Sequence, residues 1–369
     1  MNEEPKKQER LMSLDALRGA DMLCIMGFAS WVVALCALLP QCGLTEWIAS
    51  QMTHVEWNGL RQHDTIFPLF LFIAGISFPF SLAKQLAQGR TTAQIHLKIV
   101  RRGFLLVLLG LVCNGVLQFD FANLRCASVL ARIGLAWMFA ALLFTTIRKT
   151  SILAVIAAVI LIGYWLAMWL IPGGSDPFSY ENNLVGVIDR VLLPGRLYEN
   201  NFFDPEGLFS TIPAIGTAML GMFTGQWIRS TEASGNKKAL YLFLAGVALA
   251  LIGWLWSFVF PINKKLWTSS FVGAVAGYSL IWFSIFYYII DVKGWRRWAF
   301  FFQVIGMNSI TIYMLPRFID CSRANKFIFG GIIKQFDGDW NKLVSLTFYI
   351  LTCWLILYFF YKKKIFLKV

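Results

Sequence analysis

HVEWNGLRQHDTIFPLFLFIAGISFPF, residues 54–80, decides how this chain is read. Its opening gathers His54, Glu56, Asn58, Arg61, His63 and Asp64, and from Ile66 onward almost every residue is apolar. Carried to about residue 84, the run is long enough to cross a bilayer, since a spanning helix needs ~20 apolar residues. It therefore predicts a membrane helix with a polar mouth.

The same pattern of an apolar run bounded by charges or turn residues recurs along the chain. Ten such runs fall at 20–40, 64–84, 97–117, 128–147, 151–171, 209–228, 239–260, 269–290, 298–316 and 344–361. Hydrocarbon cannot satisfy backbone N–H and C=O groups, so each run should be helical. Pro68, Pro79 and Pro213 lie inside three of them and predict kinks or half-helices. Composition agrees: 58% of the 369 residues are hydrophobic and 14% charged, against ~25% charged in an average soluble chain. The expected fold is all-α, a polytopic bundle of about ten transmembrane helices. Residues 1–18 form a polar N-terminal segment without the marks of a cleavable leader, and 19–369 form one membrane domain.

A net charge of +13 raises the question of nucleic acid. Placing both termini in the cytoplasm puts 21 of the 33 Lys and Arg residues on the inner side and satisfies the positive-inside rule at every internal loop. The basic excess is then topological, and nucleic acid drops out as a partner. The external segments become 41–63, 172–208 and 317–343. The seven cysteines show no CxxC and no pairing with histidine, so neither a metal site nor a disulfide scaffold is expected.

His54 stands just before the second run, where a neutral imidazole suits a general base. Asp64, ten residues on, could orient it or cap the following helix. Glu56, Trp57 and Asn58 complete a polar and aromatic cluster; the structural alternative is an interfacial belt with Trp57 at headgroup depth. Asp15 and Arg18, three apart, share a helix face, and Arg18 could hold phosphate. Arg132, inside the fourth run, is expensive in a membrane unless it meets a cavity or a partner. Asp204 and Glu206 precede a proline-bearing run. Asn263, Lys264 and Lys265 lie outside, the lysines against the charge bias, and Asn308 sits in an apolar segment. P-loop, dinucleotide-binding and serine-hydrolase signatures are absent from the sequence.

Taken in order, SLDALRG (13–19), HVEWNGLRQHD (54–64) with its IFP and FLFIAGIS, SVLARIGL (128–135), GVIDRVLLPGRLY (186–198), DPEGLFSTIPAIG (204–216), PINKKLWTSS (261–270), GMNSITIY (306–313) and KKKIF (362–366) resemble the heparan-α-glucosaminide N-acetyltransferase family, and most closely its bacterial members. The resemblance runs over about 11–369. It implies transfer of an acetyl group from cytosolic acetyl-CoA, a co-substrate, across the membrane to an amino sugar or other glycan acceptor on the far side, without a metal. It also implies the bacterial inner membrane as location, membrane lipid as surroundings and a homodimer as assembly. The family's active histidine maps onto His54, its following aspartate onto Asp64 and its fourth-helix arginine onto Arg132. One departure stands out: where the family carries an asparagine near the end of the first helix, this chain has Ala29 or Ser30.

The expected site is therefore His54, Asp64 and Asn58 for chemistry. Glu56, Trp57, Asp204, Glu206, Asn263, Lys265 and Asn308 would hold the acceptor, and Arg18, Arg102 and Arg132 the phosphates of the donor. The rival expectation is a carrier or flippase for a sugar or lipid-linked precursor, which would use kinked helices and an intramembrane arginine without covalent chemistry.

Overall fold

The computed structural model describes residues 11–171, 176–199 and 201–367. The first ten residues of the expected N-terminal segment, and residues 172–175 and 200 of the long external one, lie outside them. The helices, in chain order, are α1 (Met12–Leu38), α2 (Gly43–Gln51), α3 (Ile66–Ala87), α4 (Thr92–Cys113), α5 (Val129–Thr146), α6 (Thr150–Leu170), α7 (Leu184–Leu192), α8 (Thr211–Ser230), α9 (Gly235–Trp256), α10 (Ser269–Val292), α11 (Ala299–Met307), α12 (Ser309–Phe318), α13 (Cys321–Ile333) and α14 (Gly338–Lys362). Among the described residues the only β pairing is two isolated bridges. The chain is an all-α polytopic membrane bundle.

All ten predicted runs fall on helices. Seven are long and apolar enough to cross a membrane, and α11 with α12, bent by 64°, makes an eighth if the pair is one span. The other two, α4 and α8, have the length but are more polar. α4 carries Lys98, Arg101 and Arg102 near its start. α8 is enclosed by α3, α5, α6 and α10, so it has less need of an apolar surface toward lipid. Burial sorts the rest: 67% of the apolar window of α3 and of α10 is buried, against 22% for α6, α9 and α14. The first two are central; the last three present their apolar surface outward.

Close crossings hold the centre together. A Cβ on Gly75 would lie 2.4 Å from the Ala218 carbonyl oxygen, and one on Gly221 2.3 Å from that of Phe72. α3 and α8 thus meet backbone to backbone, the small-residue packing that membrane helices favour.

Several boundaries differ from expectation. α1 begins at Met12, ahead of the apolar run at 20–40, and residues 12–18 are helical and largely buried. The Asp291 carboxylate accepts from the Met12 and Ser13 backbone N–H groups at 3.3 and 3.2 Å and caps that end. Pro68 and Pro213 lie in the first turns of α3 and α8, where a missing N–H costs nothing, and so start helices instead of kinking them. Pro79 is inside α3 as expected. The irregularity of α1 lies elsewhere, at a π-helical stretch, Cys24–Phe28, where Gly27 takes φ +119°. All seven cysteines are free.

Candidate active site

The polar mouth of α3 folds back on itself before the helix starts. Asp64 ends a short 3₁₀ turn and is buried, at 1% exposure. Its Oδ2 accepts from the backbone N–H groups of Val55 and Arg61, both at 3.2 Å, and its Oδ1 from His54 Nδ1 at 2.7 Å. One carboxylate therefore ties the whole loop 54–64. Arg61 adds hydrogen bonds to Thr53 Oγ1 (2.8 Å) and the His54 carbonyl (3.1 Å).

Lys264, two hundred residues away, completes the cluster. Its Nζ is 3.1 Å from His54 Nδ1 and 3.4 Å from Asp64 Oδ1. The segment that carries it is fastened to the loop by Asn263 Nδ2 donating to Asn58 Oδ1 (3.1 Å) and by the Gly59 N–H donating to the Ile262 carbonyl (2.8 Å). The segment itself is rigid. Asn263 Oδ1 accepts from the Leu266 N–H, and Thr268 Oγ1 accepts from the Asn263 N–H as well as capping α10. Trp267 is held at φ +52°, an outlier for a bulky residue. Its indole N–H donates to Thr217 Oγ1, and the Arg132 guanidinium lies 5.0 Å over its ring.

These contacts set protonation. Burial works against the charge of Asp64, but the His54 hydrogen bond and the Lys264 ammonium outweigh it and hold the carboxyl below its usual range. An ionised carboxylate only accepts, so the shorter contact, to Asp64, puts the proton on Nδ1 and the lone pair of His54 on Nε2, and the Lys264 ammonium, a donor only, pairs with Asp64 and not with the ring nitrogen. The His54 side chain is 56% exposed, and its Nε2 makes no hydrogen bond among the described residues. His63, whose ring centroid is 4.5 Å from that of His54, is pushed down to about 4 by burial and by its charged neighbours. Burial likewise lowers Lys264 from its ordinary value, against the pull of Asp64.

The other expected residues separate into three groups. Glu56 is exposed beside His54. Trp57 turns away from the imidazole: its N–H donates to the Phe178 carbonyl and its ring packs edge-on to Tyr180 and Phe203. Lys265 pairs with Glu199 at 3.0 Å near the same rings. Asp204 and Glu206 are both taken up by Arg125, which contacts Asp204 through two nitrogens at 2.7 and 2.6 Å. Asp189, beneath them, accepts from the Asp204 and Leu208 N–H groups, and burial raises its carboxyl to about 6. These carboxylates brace the external segment.

Arg132 is 1% exposed and contacts Ser210 and Gly207 as well as Trp267, so its place is structural support for the Lys264 segment. Arg18 and Arg102, by contrast, line a cavity of about 260 Å³ with Ser77, Ser81 and Asn308. Arg18 also reaches Ser77 and Asp15 at 3.4 Å, and Arg102 stacks on Trp137 at 4.1 Å. Asn308 sits at the bend between α11 and α12, and its buried Oδ1 has no partner among the described residues. A separate, narrower void of about 40 Å³ adjoins it, sharing Phe70, Leu130, Ile133, Ser309 and Ile310 and reaching Ile66 and Phe67. The two voids follow α3 from Ser81 to Ile66, fifteen residues or ~22 Å of helix, ending two residues from Asp64.

Of the residues anticipated from sequence, the structure joins His54 to Asp64 and Asn58 to Asn263, and sets Arg18, Arg102 and Asn308 around a shared cavity. Lys264 is a member of the site that the sequence reading does not place there; two lysines on the side otherwise poor in them are its signal. Where the expected asparagine is missing, Ala29 is buried and Ser30 exposed.

A family profile described as "Heparan-alpha-glucosaminide N-acetyltransferase, catalytic" matches residues 10–260. The chain is 29% identical to the Homo sapiens heparan-alpha-glucosaminide N-acetyltransferase over 421 residues, covering 98% of this chain and 60% of that protein. It is 28% identical to the Mus musculus protein of the same name, over 94% of this chain and 60% of that one. The chain thus spans about three fifths of the length of these relatives. With two thirds of its length inside the profile, it belongs to the heparan-α-glucosaminide N-acetyltransferase family of transmembrane acetyltransferases.

Proposed function

We propose that this protein moves an acetyl group from cytosolic acetyl-CoA to the amine or hydroxyl of an amino sugar or other glycan on the opposite face of a bacterial cytoplasmic membrane. The observation that carries this reading is an oriented imidazole at one end of α3, with voids along the same helix leading back to two arginines. Arg18 and Arg102 offer charge and donors to the phosphates, as guanidinium suits, and the lined voids offer a path for the pantetheine arm.

At the outer end His54 Nε2 takes the proton from the acceptor as its nitrogen or oxygen attacks the thioester carbonyl. The new bond to carbon forms, the carbon–sulfur bond breaks, and the proton passes from Nε2 to the departing thiolate. Asp64 holds the ring in the reactive tautomer and stabilises the imidazolium. The Asn58 amide N–H₂, whose oxygen is already engaged by Asn263, is the donor we assign to the developing oxyanion in place of the absent asparagine. Transfer through an acetyl-imidazole on His54 uses the same geometry and is distinguished by trapping label on the protein in the absence of acceptor.

The test is release of free CoA by purified protein with a panel of amino sugars. Wild type should release CoA and His54→Ala should not, while both elute as the same species on size exclusion. Binding of a sugar precursor with no CoA release from wild type would favour a carrier and overturn the enzymatic reading.

A further inference from the structure

Another large void lies on the other side of α3. At about 440 Å³ it exceeds the cavity between Arg18 and Arg102, and the two have no lining residue in common. It opens where α3, α5 and α8 end and α4 and α6 begin, a face rich in Lys and Arg. Its floor is apolar, with Leu82, Phe144 and Leu153. At its rim stand Arg148 and Arg229, and no carboxylate lines it.

Neither guanidinium makes an ion pair or hydrogen bond among the described residues, although unengaged arginines in one cavity repel each other. Gln226 lines the cavity as well and donates from Nε2 to Thr150 Oγ1 at 3.3 Å. The cavity therefore offers two cations and an apolar base. Inorganic phosphate would answer the cations alone. A neutral zwitterionic lipid would bring an ammonium against two arginines. Basic pockets between helices near a membrane surface are suited to anionic headgroups, and the apolar floor suits an acyl chain.

We infer that this cavity is a binding site for an anionic phospholipid. The phosphate lies between Arg148 and Arg229, and an acyl chain covers Leu82, Phe144 and Leu153. Such a lipid would cement the ends of α3, α5 and α8, the helices on which both the donor cavity and the Arg132 support are built. The inference does not depend on the acyltransfer reading.

Delipidated protein in detergent is heated with dioleoyl phosphatidylglycerol, phosphatidylethanolamine, phosphatidylcholine, inorganic phosphate or acetyl-CoA. Phosphatidylglycerol should raise Tm by about 4 °C or more at saturating concentration, and the other two lipids should not. The Arg148→Ala/Arg229→Ala double variant should lose the shift. Native mass spectrometry of the milder Arg229→Gln protein, which should retain less phosphatidylglycerol than wild type, serves if the double variant does not fold. Equal stabilisation by phosphatidylcholine, or an undiminished shift in the double variant, overturns the site. Equal stabilisation by inorganic phosphate overturns the lipid, and loss of an acetyl-CoA shift in the double variant gives the cavity to the donor instead.

Discussion

Replacing Asp64 with Asn tests the site more sharply than removing His54, because it changes one atom and keeps the shape. Asp64 accepts through Oδ1 from His54 and through Oδ2 from two backbone N–H groups. Asparagine has one oxygen. If that oxygen stays on the Val55 and Arg61 N–H groups, its NH₂ faces His54 Nδ1, which must then accept, and the ring proton moves to Nε2. The lone pair that takes the acceptor's proton is gone. In proteases with a Ser-His-Asp arrangement the analogous change lowers kcat ~10⁴-fold, or about 5.4 kcal/mol at 1.36 kcal/mol per decade. We expect 10³- to 10⁴-fold here.

The fold should survive. The lost interactions are one charge-assisted hydrogen bond and the Lys264 ion pair, together on the order of 2–3 kcal/mol, with the two backbone hydrogen bonds kept. The measurement is single-turnover CoA release at saturating acetyl-CoA and acceptor, beside a thermal melt. Asp64→Asn protein that melts within a few degrees of wild type and turns over within tenfold of it would refute the tautomer argument.

Two further outcomes follow from the same structure. Arg102→Gln, which keeps hydrogen-bonding capacity but removes charge from the donor cavity, should raise the KM for acetyl-CoA by about tenfold, the scale of one charged hydrogen bond, with kcat less affected. Steady-state kinetics decide, and a kcat effect alone would place Arg102 elsewhere. Asp189 titrates near 6 in the fold but near 3.8 when unfolded. The folded state therefore holds a proton that the unfolded chain releases, and the contribution of Asp189 to stability should fall as pH rises from about 4 through about 6, by roughly 3 kcal/mol, while His63, pushed down to about 4, contributes a slope of the opposite sign over the same window. The melting temperature of Asp189→Asn protein should therefore rise relative to wild type between about pH 4 and about pH 6, and a difference that stays flat with pH would refute the assignment. Asp64, shifted the other way, acts only below about 4 and does not overlap.

Hydropathy is a local property, so the runs that form the helices are legible in the amino-acid order alone. The His54–Asp64 pair is legible too, because both lie on one short loop and the residue types already suggest an oriented base. Contacts between distant segments are not. Nothing near Lys264 in sequence says that it meets His54, and nothing near Asp204 and Glu206 says that Arg125 consumes them. Arg132 reads as a costly intramembrane charge either way; only its contact with Trp267 shows that the cost maintains a strained turn. Pro68 and Pro213 mislead because a proline marks a kink or a beginning depending on a few residues of helix boundary. The start of α1 depends on Asp291, nearly three hundred positions downstream.

The paired amides Asn58 and Asn263 join two stretches of chain that lie far apart in the gene. Loop 54–64 and turn 262–268 form a single machined part, so a graft of the histidine loop onto another scaffold would arrive without its lysine, its amide fastener and the tryptophan anchor behind them. Shuffling between homologues should succeed when crossover points leave both stretches with one parent and fail when they divide them, even where every individual residue is shared.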